Sequence, residues 1–125
     1  MNASDIANES TPRIKRHIHA GAVCCDPAWE DAYKQFESPE EEIAKFIKRL
    51  RLLGFENRSR DIRIAELFCG RGGGLIALKR LGFTNVEGVD LSETLLHQNQ
   101  SGAALHLADC RDLPFEDASL NAVVI

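Results

Sequence analysis

The amino-acid sequence predicts an α/β fold built around a parallel β-sheet. From residue 62 onward, short apolar runs of strand length alternate with stretches of helix length, and glycines separate them. Strands that alternate with helices in this way run parallel, because each helix returns the chain to the same edge of the sheet. The chain has 125 residues, so we expect one domain with a modest hydrophobic core.

The N-terminal part of the chain predicts a loose segment followed by a helical extension. Residues 1–24 are polar and lack hydrophobic periodicity, so we expect no regular structure there. In the extension, residues 25–61, the first helix begins at Asp26 and Pro27, a capping residue followed by a proline in the first turn. Three aromatic residues follow at helical spacing: Trp29, Tyr33 and Phe36. We expect this stripe to pack in the core, and a lid over a ligand is the alternative.

A second N-terminal helix is predicted from Pro39 to about Leu53. Ser38 and Glu41 flank its first turn in the pattern of a capping box, and Gly54 provides a stop. Its apolar face consists of Ile43, Phe46, Ile47, Leu50 and Leu53. The pattern therefore predicts an amphipathic helix with one buried face.

The sheet domain is predicted to span residues 62–125. Its strands are expected at 62–68, 86–90, 104–108 and 120–125, and its helices at 74–81 and 92–100. Gly82 closes the first of these helices, and Ser92 caps the second.

A glycine-rich segment, AELFCGRGGG from Ala65 to Gly74, connects the first predicted strand of this domain to its first helix. Glycines permit a tight turn there and let a ligand approach bare backbone. The unpaired N–H groups of the following helix point to the same place. Any tight strand-to-helix turn favours glycine, so the neighbouring residues decide whether this turn binds a ligand.

Two carboxylates accompany the glycine-rich segment. Glu66 precedes the glycines, and Asp90 ends the next strand, 18 residues after Gly72. A carboxylate in the latter position can accept hydrogen bonds from both ribose hydroxyls, so the pattern predicts a nucleoside-containing cofactor. The alternative interpretation of Asp90 is a cap for the helix that begins near Ser92.

Three segments of the chain resemble successive motifs of class I S-adenosylmethionine-dependent methyltransferases, most closely the branch that methylates small molecules. These segments are AELFCGRGGGLIALKRLGF, VEGVDLS and LADCRDLPFEDASLNAVVI, which appear in the family's order within residues 62–125. The resemblance implies a Rossmann-like three-layer α/β/α fold with a parallel sheet, preceded here by two N-terminal helices. It also implies S-adenosylmethionine as the cofactor.

The resemblance further implies which residues contact that cofactor. Glu66 matches an acid near its methionine end, and Asp90 matches the acid that binds its ribose. The residues that match the loop around the methionine portion are Phe68, Cys69, Gly70 and Gly72. The residues that match the adenine side are Leu91, which packs on the ring, Asp109, which accepts from the amino group, and Cys110, whose backbone N–H meets the ring.

The sequence departs from the family's pattern in three places. Phe68 stands where the family has the first loop glycine, and Leu120 and Asn121 stand where it has an aromatic residue and an aspartate. The sequence also ends inside the fourth of the seven strands that the family fold implies. In the family's order this strand lies beside the first, so we expect its other edge to be bare and apolar, and the chain to be truncated and only marginally stable.

Two other enzyme classes and an inactive partial domain remain alternatives. Gly72 to Ala77 fits the G-x-G-x-x-A pattern of NAD(P)- or flavin-binding oxidoreductases, although Glu66 would repel a pyrophosphate. ELFCGRGGG also resembles the opening motif of DNA cytosine methyltransferases, but the Pro-Cys nucleophile motif of those enzymes is absent from this sequence.

The composition of the chain limits the classes of binding partner and the cellular location that we expect. The net charge of −4 gives no support for nucleic-acid binding, and no apolar run approaches the length of a membrane span. The N-terminus lacks an apolar signal core, so we expect a cytoplasmic protein with reduced cysteines. Four residues that could bind zinc match no common zinc spacing, so we expect no metal: His17, His19, Cys24 and Cys25.

The resemblance implies methyl transfer to a small-molecule acceptor, with the acceptor site formed by residues outside this sequence and by the N-terminal helices. Alignment and desolvation carry most of such a reaction. We therefore assign no catalytic base. The sequence does not identify the acceptor or the oligomeric state.

Overall fold

The computed structural model describes residues 11–18, 27–28, 31–32 and 38–125. Its strands are β1 (Arg13–Arg16), β2 (Ile64–Leu67), β3 (Val86–Asp90), β4 (Ala104–Leu107) and β5 (Ala122–Val124). Its helices are α1 (Pro39–Leu52), α2 (Gly73–Arg80) and α3 (Glu93–His97). Residues 27–28 and 31–32 are also helical, whereas the aromatic stripe of the first predicted helix lies outside the described residues.

The five strands form one sheet in the order β1-β4-β3-β2-β5, and all four pairings are parallel. Ile64 of β2 pairs with Val86 of β3 on one side and with Ala122 of β5 on the other. The predicted parallel sheet is therefore confirmed, and so is the expected place of the last strand beside β2. Within the described sheet β5 is an edge strand, and its Val123 side chain is 49% exposed.

Strand β1 corrects the expectation of a loose segment over residues 1–24. Arg13–Arg16 pairs in parallel with β4 along the sheet edge. Three further contacts fix this strand: Arg13 donates to the Gly102 carbonyl oxygen at 3.1 Å, Arg16 bonds Glu93 of α3, and His17 bonds His106 of β4 at 2.9 Å. The prediction is wrong for these four residues because only one of them, Ile14, adds apolar surface to the core.

The main hydrophobic core lies between one face of the sheet and the helices. Residues of α1, α2 and α3 pack there against Ile64 and Leu105. The opposite face carries a smaller cluster that includes Leu67 and Val89, and the segment 108–121 covers it with Leu113 and Phe115. No helix covers this second face among the described residues, so they form the sheet layer and one of the two helical layers that the resemblance implies.

The helix boundaries follow the predicted caps. Ser38 Oγ accepts the Glu41 N–H at the start of α1, and Ser92 Oγ accepts the Leu95 N–H at the start of α3. Helix α3 ends at His97, earlier than the predicted residue 100. None of the described helices is both long and apolar enough to cross a membrane.

Candidate functional site

The predicted site residues lie at the carboxyl edge of the parallel sheet. Phe68 follows β2, Asp90 ends β3, and Asp109 follows β4. Because β3 pairs with both β2 and β4, the loops after these three strands leave the sheet side by side. Clefts at this edge are the usual ligand sites of open α/β sheets.

The glycine-rich turn is fixed through the backbone of Gly70. Its N–H donates to Asp90 Oδ2 at 2.8 Å, and its carbonyl oxygen accepts a bond from Asn99 Nδ2 at 3.1 Å. Gly70 has φ +51°, in the left-handed region that favours glycine. The aspartate expected to bind ribose therefore reaches the glycine turn, as the predicted site requires.

Asp90 also contributes to the start of α3. Its Oδ1 accepts the Ser92 N–H at 2.8 Å. The functional and capping interpretations of this residue are therefore compatible. Each carboxylate oxygen can accept more than one hydrogen bond, so these backbone bonds orient the group without exhausting it.

Asn99 supports the glycine turn from within the protein, a role that the sequence did not predict. Its side chain is buried, and its Oδ1 accepts bonds from the Ser101 N–H at 3.0 Å and the Ser101 hydroxyl at 2.6 Å. The sequence places Asn99 near the end of a predicted helix among polar residues. Nothing in that context distinguishes a buried asparagine from an exposed one.

Three consecutive glycines make room for three side chains that come from different parts of the fold. A Cβ atom at Gly72 would lie 2.5 Å from Asn99 Oδ1, and one at Gly73 would lie 2.7 Å from the Glu42 side chain. At Gly74 it would lie 1.7 Å from Glu66 Oε2. The run of glycines therefore has a packing cause in addition to the ligand approach that the sequence suggested.

Among the described residues, Glu66 stands out as a buried carboxyl group with an oxygen that accepts no hydrogen bond. The residue is 3% exposed, and Oε2 is buried without a hydrogen-bond partner. Burial, together with the negative charges of Glu42 and Asp90, raises the pKa of this carboxyl group to about 8. An isolated acceptor of this kind is costly to bury, and such groups concentrate at functional sites.

Helix α1 brings a further carboxylate to the glycine turn. Glu42 is buried, and its Oε2 lies 3.2 Å from Arg71 Nε within the turn. The sequence pattern indicated a capping role for Glu41 of this first turn and no contact of Glu42 with the glycine turn. The structure adds a contact between the N-terminal extension and the candidate site.

Phe68 and Cys69, the first two residues of the turn, differ in exposure to solvent. Phe68 is 62% exposed and has φ +58°, a left-handed conformation that is strained for a residue with a Cβ atom. Cys69 is buried beside Gly88, where an added Cβ would lie 2.7 Å from its sulfur. Burial raises the pKa of the Cys69 thiol well above its usual range, so this group stays protonated.

The residues predicted for the adenine side are more open. Asp109 bonds the Arg111 guanidinium of its own turn, with contacts of 2.6 Å to Nη2 and 3.0 Å to Nε. This hydrogen bond lowers the pKa of Asp109 to about 2. Cys110 is exposed with a free thiol, and Leu91 is partly exposed.

The described residues contain no group of three His, Cys, Asp or Glu side chains that could hold a metal ion. Three of the four residues considered for zinc, His19, Cys24 and Cys25, lie outside that part of the chain. The donor set of the candidate site consists instead of carboxylates and backbone groups. It suits a cationic ligand with hydroxyl groups, because carboxylates accept bonds from ammonium and hydroxyl donors.

Comparison with protein families gives one match. A family described as a methyltransferase domain matches residues 64–125. This range begins at β2 and includes the glycine turn, Asp90 and Asp109, but not β1 or α1. No curated protein sequence matches the chain.

Solved structures share the fold. CalS10, an amino pentose methyltransferase from Micromonospora echinaspora solved with bound SAM and involved in calicheamicin biosynthesis, is 25% identical over 84% of this chain and 43% of that one, with a TM-score of 0.51. The sugar N-methyltransferase KedS8 from Streptoalloteichus sp. is 20% identical over 86% and 44%, with a TM-score of 0.50. The MccD protein is 20% identical over 63% and 38%, with a TM-score of 0.52. The present chain therefore spans about two fifths of each of these chains.

Proposed function

Residues 64–125 belong to a methyltransferase-domain family with a class I, Rossmann-like fold, and we propose from this premise that the chain is the cofactor-binding portion of an S-adenosylmethionine-dependent methyltransferase. The matched residues include the strands and loops that surround the candidate site. The activity, the cofactor and the acceptor are the proposal.

The observation that carries the proposal is the buried carboxyl of Glu66 beneath the glycine turn. Its unpartnered Oε2 supplies an acceptor, and two further carboxylates contribute negative charge nearby. A dinucleotide would place a pyrophosphate against such a turn, where these charges repel it. An amino-acid tail places an ammonium group there, which the same charges attract. The site therefore favours S-adenosylmethionine over a nicotinamide or flavin dinucleotide.

Other residues fit the remaining parts of this cofactor. Asp90 is oriented by two backbone bonds and presents its carboxylate beside the turn, where we assign it to the ribose hydroxyls. Leu91, Asp109 and the backbone of Cys110 are assigned to the adenine ring. Phe68, Cys69, Gly70 and Gly72 are assigned to the methionine portion, with Phe68 on the exposed side of the turn and Cys69 on its buried side.

The chemistry requires mainly binding and orientation from this part of the protein. The bound cofactor supplies a methyl group on a positively charged sulfur that leaves readily. The glycine turn and the carboxylates hold the amino-acid tail and the sugar, which fixes the direction in which the methyl group points. We assign no catalytic base, because alignment and exclusion of water carry such a transfer.

We assign a small-molecule acceptor. Two of the structural neighbours are an amino pentose methyltransferase and a sugar N-methyltransferase, and the net charge of −4 gives no electrostatic support for a nucleic acid.

Calorimetric titration of the chain with S-adenosylhomocysteine and, separately, with NADH tests the proposal. We expect the thioether to bind and NADH not to bind. Asp90→Asn should weaken the affinity for S-adenosylhomocysteine by roughly 5- to 100-fold, because charge-assisted hydrogen bonds contribute about 1–3 kcal/mol. Asp117→Asn, at an exposed acid in the connection before β5, is the matched control.

Circular dichroism must show that both variants are folded at the temperature of the titration, since Asp90 also bonds the backbone of Gly70 and Ser92. Tighter binding of NADH than of S-adenosylhomocysteine would overturn the methyltransferase proposal. An Asp90→Asn variant that is folded and binds normally would remove the ribose assignment alone.

A further inference from the structure

Three carboxylates converge on the glycine turn from three different elements: Glu42 from α1, Glu66 from β2 and Asp90 from β3. The only basic side chain that the structure shows among them is Arg71, which bonds Glu42. Cys69 also faces this group but stays a neutral thiol because it is buried. With all three acids ionised, the described site would carry an excess of negative charge away from water.

Glu66 is the member of this group that is least able to remain ionised. It is buried, and its Oε2 lies against Gly74 with no hydrogen-bond donor. Asp90, in contrast, accepts two backbone N–H bonds, and Glu42 has the Arg71 guanidinium. Glu66 Oε2 has no such donor, and burial together with two neighbouring negative charges favours the protonated form of Glu66.

We propose that Glu66 is a neutral carboxylic acid in the free protein and releases its proton to solvent when the positively charged amino-acid tail of the cofactor binds beside the glycine turn. This inference rests on the proposed function for the class of ligand. The incoming ammonium provides the positive charge that the free site lacks, so the ionised carboxyl becomes the favoured form. Binding and the release of one proton are then a single coupled step.

The coupling makes the affinity depend on pH in a defined direction. Below the pH at which Glu66 ionises in the free protein, binding has to expel the proton, so affinity rises with pH. The slope approaches tenfold per pH unit, because one proton is released for each ligand bound. The pKa of about 8 in the free protein places the end of this rise near pH 8.

Calorimetry in two buffers of different ionisation enthalpy, at about pH 7, counts the protons directly. We expect release of about one proton when S-adenosylhomocysteine binds, because its ammonium stays charged at this pH. 5′-Methylthioadenosine has the same nucleoside and thioether but no amino-acid tail, and we expect it to bind without proton release. Glu66→Gln, which keeps the shape of the side chain but cannot ionise, should reduce the release to near zero.

Glu56→Gln, at an exposed acid paired with Arg51 away from the site, is the matched control and should release the same proton as the unaltered chain. Infrared spectroscopy of the unaltered chain provides a measurement that needs no variant. The carbonyl band of a protonated carboxylic acid should be present in the free protein and should disappear when S-adenosylhomocysteine binds.

The outcomes separate this inference from the proposed function. If S-adenosylhomocysteine fails to bind at any pH, the proposed function is wrong. If it binds without releasing a proton, or if Glu66→Gln binds it with the same release as the unaltered chain, Glu66 is not the group that ionises and the inference is overturned.

Discussion

Glu66 and Gly74 occupy complementary positions: the Oε2 atom of the glutamate lies 1.7 Å from the point where a Cβ at residue 74 would stand. The carboxyl group therefore fits in the fold only because residue 74 has no side chain. The absence of a side chain at Gly74 permits the burial of Glu66, and this burial favours the protonated form of the carboxyl group. Several properties of the candidate site depend on this pair.

Gly74→Ala should destabilise the chain by about 1–3 kcal/mol, the usual cost of an additional group in a packed interior. The new methyl group overlaps the buried carboxyl, which then has to move. Urea denaturation followed by circular dichroism measures the change. Adding Glu66→Ala should recover part of the loss, because it empties the space that the methyl group needs. If the two substitutions have strictly additive costs, the proposed overlap is absent.

Glu66→Gln should stabilise the free chain at neutral pH. The pKa of this carboxyl is raised from 4.5 to about 8 by folding, so the unfolded chain gives up the proton above about pH 4.5 while the folded chain keeps it. The contribution of Glu66 to the free energy of unfolding is therefore full below pH 4.5 and is lost as the pH rises towards 8. Glutamine does not ionise. The difference in free energy of unfolding between the variant and the unaltered chain should therefore shift in favour of the variant by on the order of 2–3 kcal/mol between pH 4 and pH 7. Urea denaturation of both proteins at the two pH values measures this shift. The same difference between variant and unaltered chain at both pH values would contradict the prediction.

Phe68→Gly should raise stability by about 0.5–1 kcal/mol. The left-handed conformation at φ +58° costs a residue with a Cβ about 1–2 kcal/mol, and the greater freedom of glycine in the unfolded chain cancels part of that gain. Since Phe68 is 62% exposed, little packing is lost. Phe68→Ala keeps the Cβ and so should show no gain. A thermal unfolding series distinguishes the two, and equal behaviour would show that strain is unimportant here.

Asn99→Ala should destabilise the chain by about 1–3 kcal/mol, because it removes the donor to the Gly70 carbonyl oxygen and the acceptor of the Ser101 N–H and O–H groups. Hydrogen exchange at the amides of the glycine turn should also become faster. Asn121→Ala is the control, since Asn121 bonds the Arg63 N–H at an exposed position and its loss should cost less. Equal costs for the two variants would contradict the role given to Asn99.

Arg111→Ala should strengthen the binding of S-adenosylhomocysteine if Asp109 accepts a bond from adenine. The guanidinium occupies that carboxylate in the free structure and is itself 82% exposed, so its removal leaves the acid available without disturbing the core. We expect a gain of a few fold in affinity by calorimetry. Arg49→Ala, at an exposed residue in the last turn of α1, is the control. A weaker affinity for Arg111→Ala would indicate that the arginine itself contacts the ligand.

The sequence allowed the sheet domain to be predicted because its signals are local. Glycines at Gly54 and Gly82 mark the ends of α1 and α2, Ser38 and Ser92 mark the starts of α1 and α3, and the apolar runs mark buried strands. The parallel arrangement then follows from the alternation of strands and helices.

The parts that could not be predicted depend on distant residues. Strand β1 lacks an apolar pattern and is fixed by polar contacts to β4 and α3. Asn99 and Glu42 reach the glycine turn from segments 29 residues away on either side, counted to Gly70 and Arg71, and no local feature identifies them. The protonation of Glu66 likewise requires the burial and the neighbouring charges that only the fold provides.

The pairing of β1 with β4 also sets an order for assembly. His17 and His106, which bond across these strands, are 89 positions apart in the sequence. Contacts between such distant residues form late, because closing a long loop costs entropy before any contact is gained. Strand β1 should therefore be among the last of the described strands to join the sheet. Pulse-labelling during refolding should find the amide of His17, which donates to the Leu107 carbonyl oxygen, protected after those of β2 and β3.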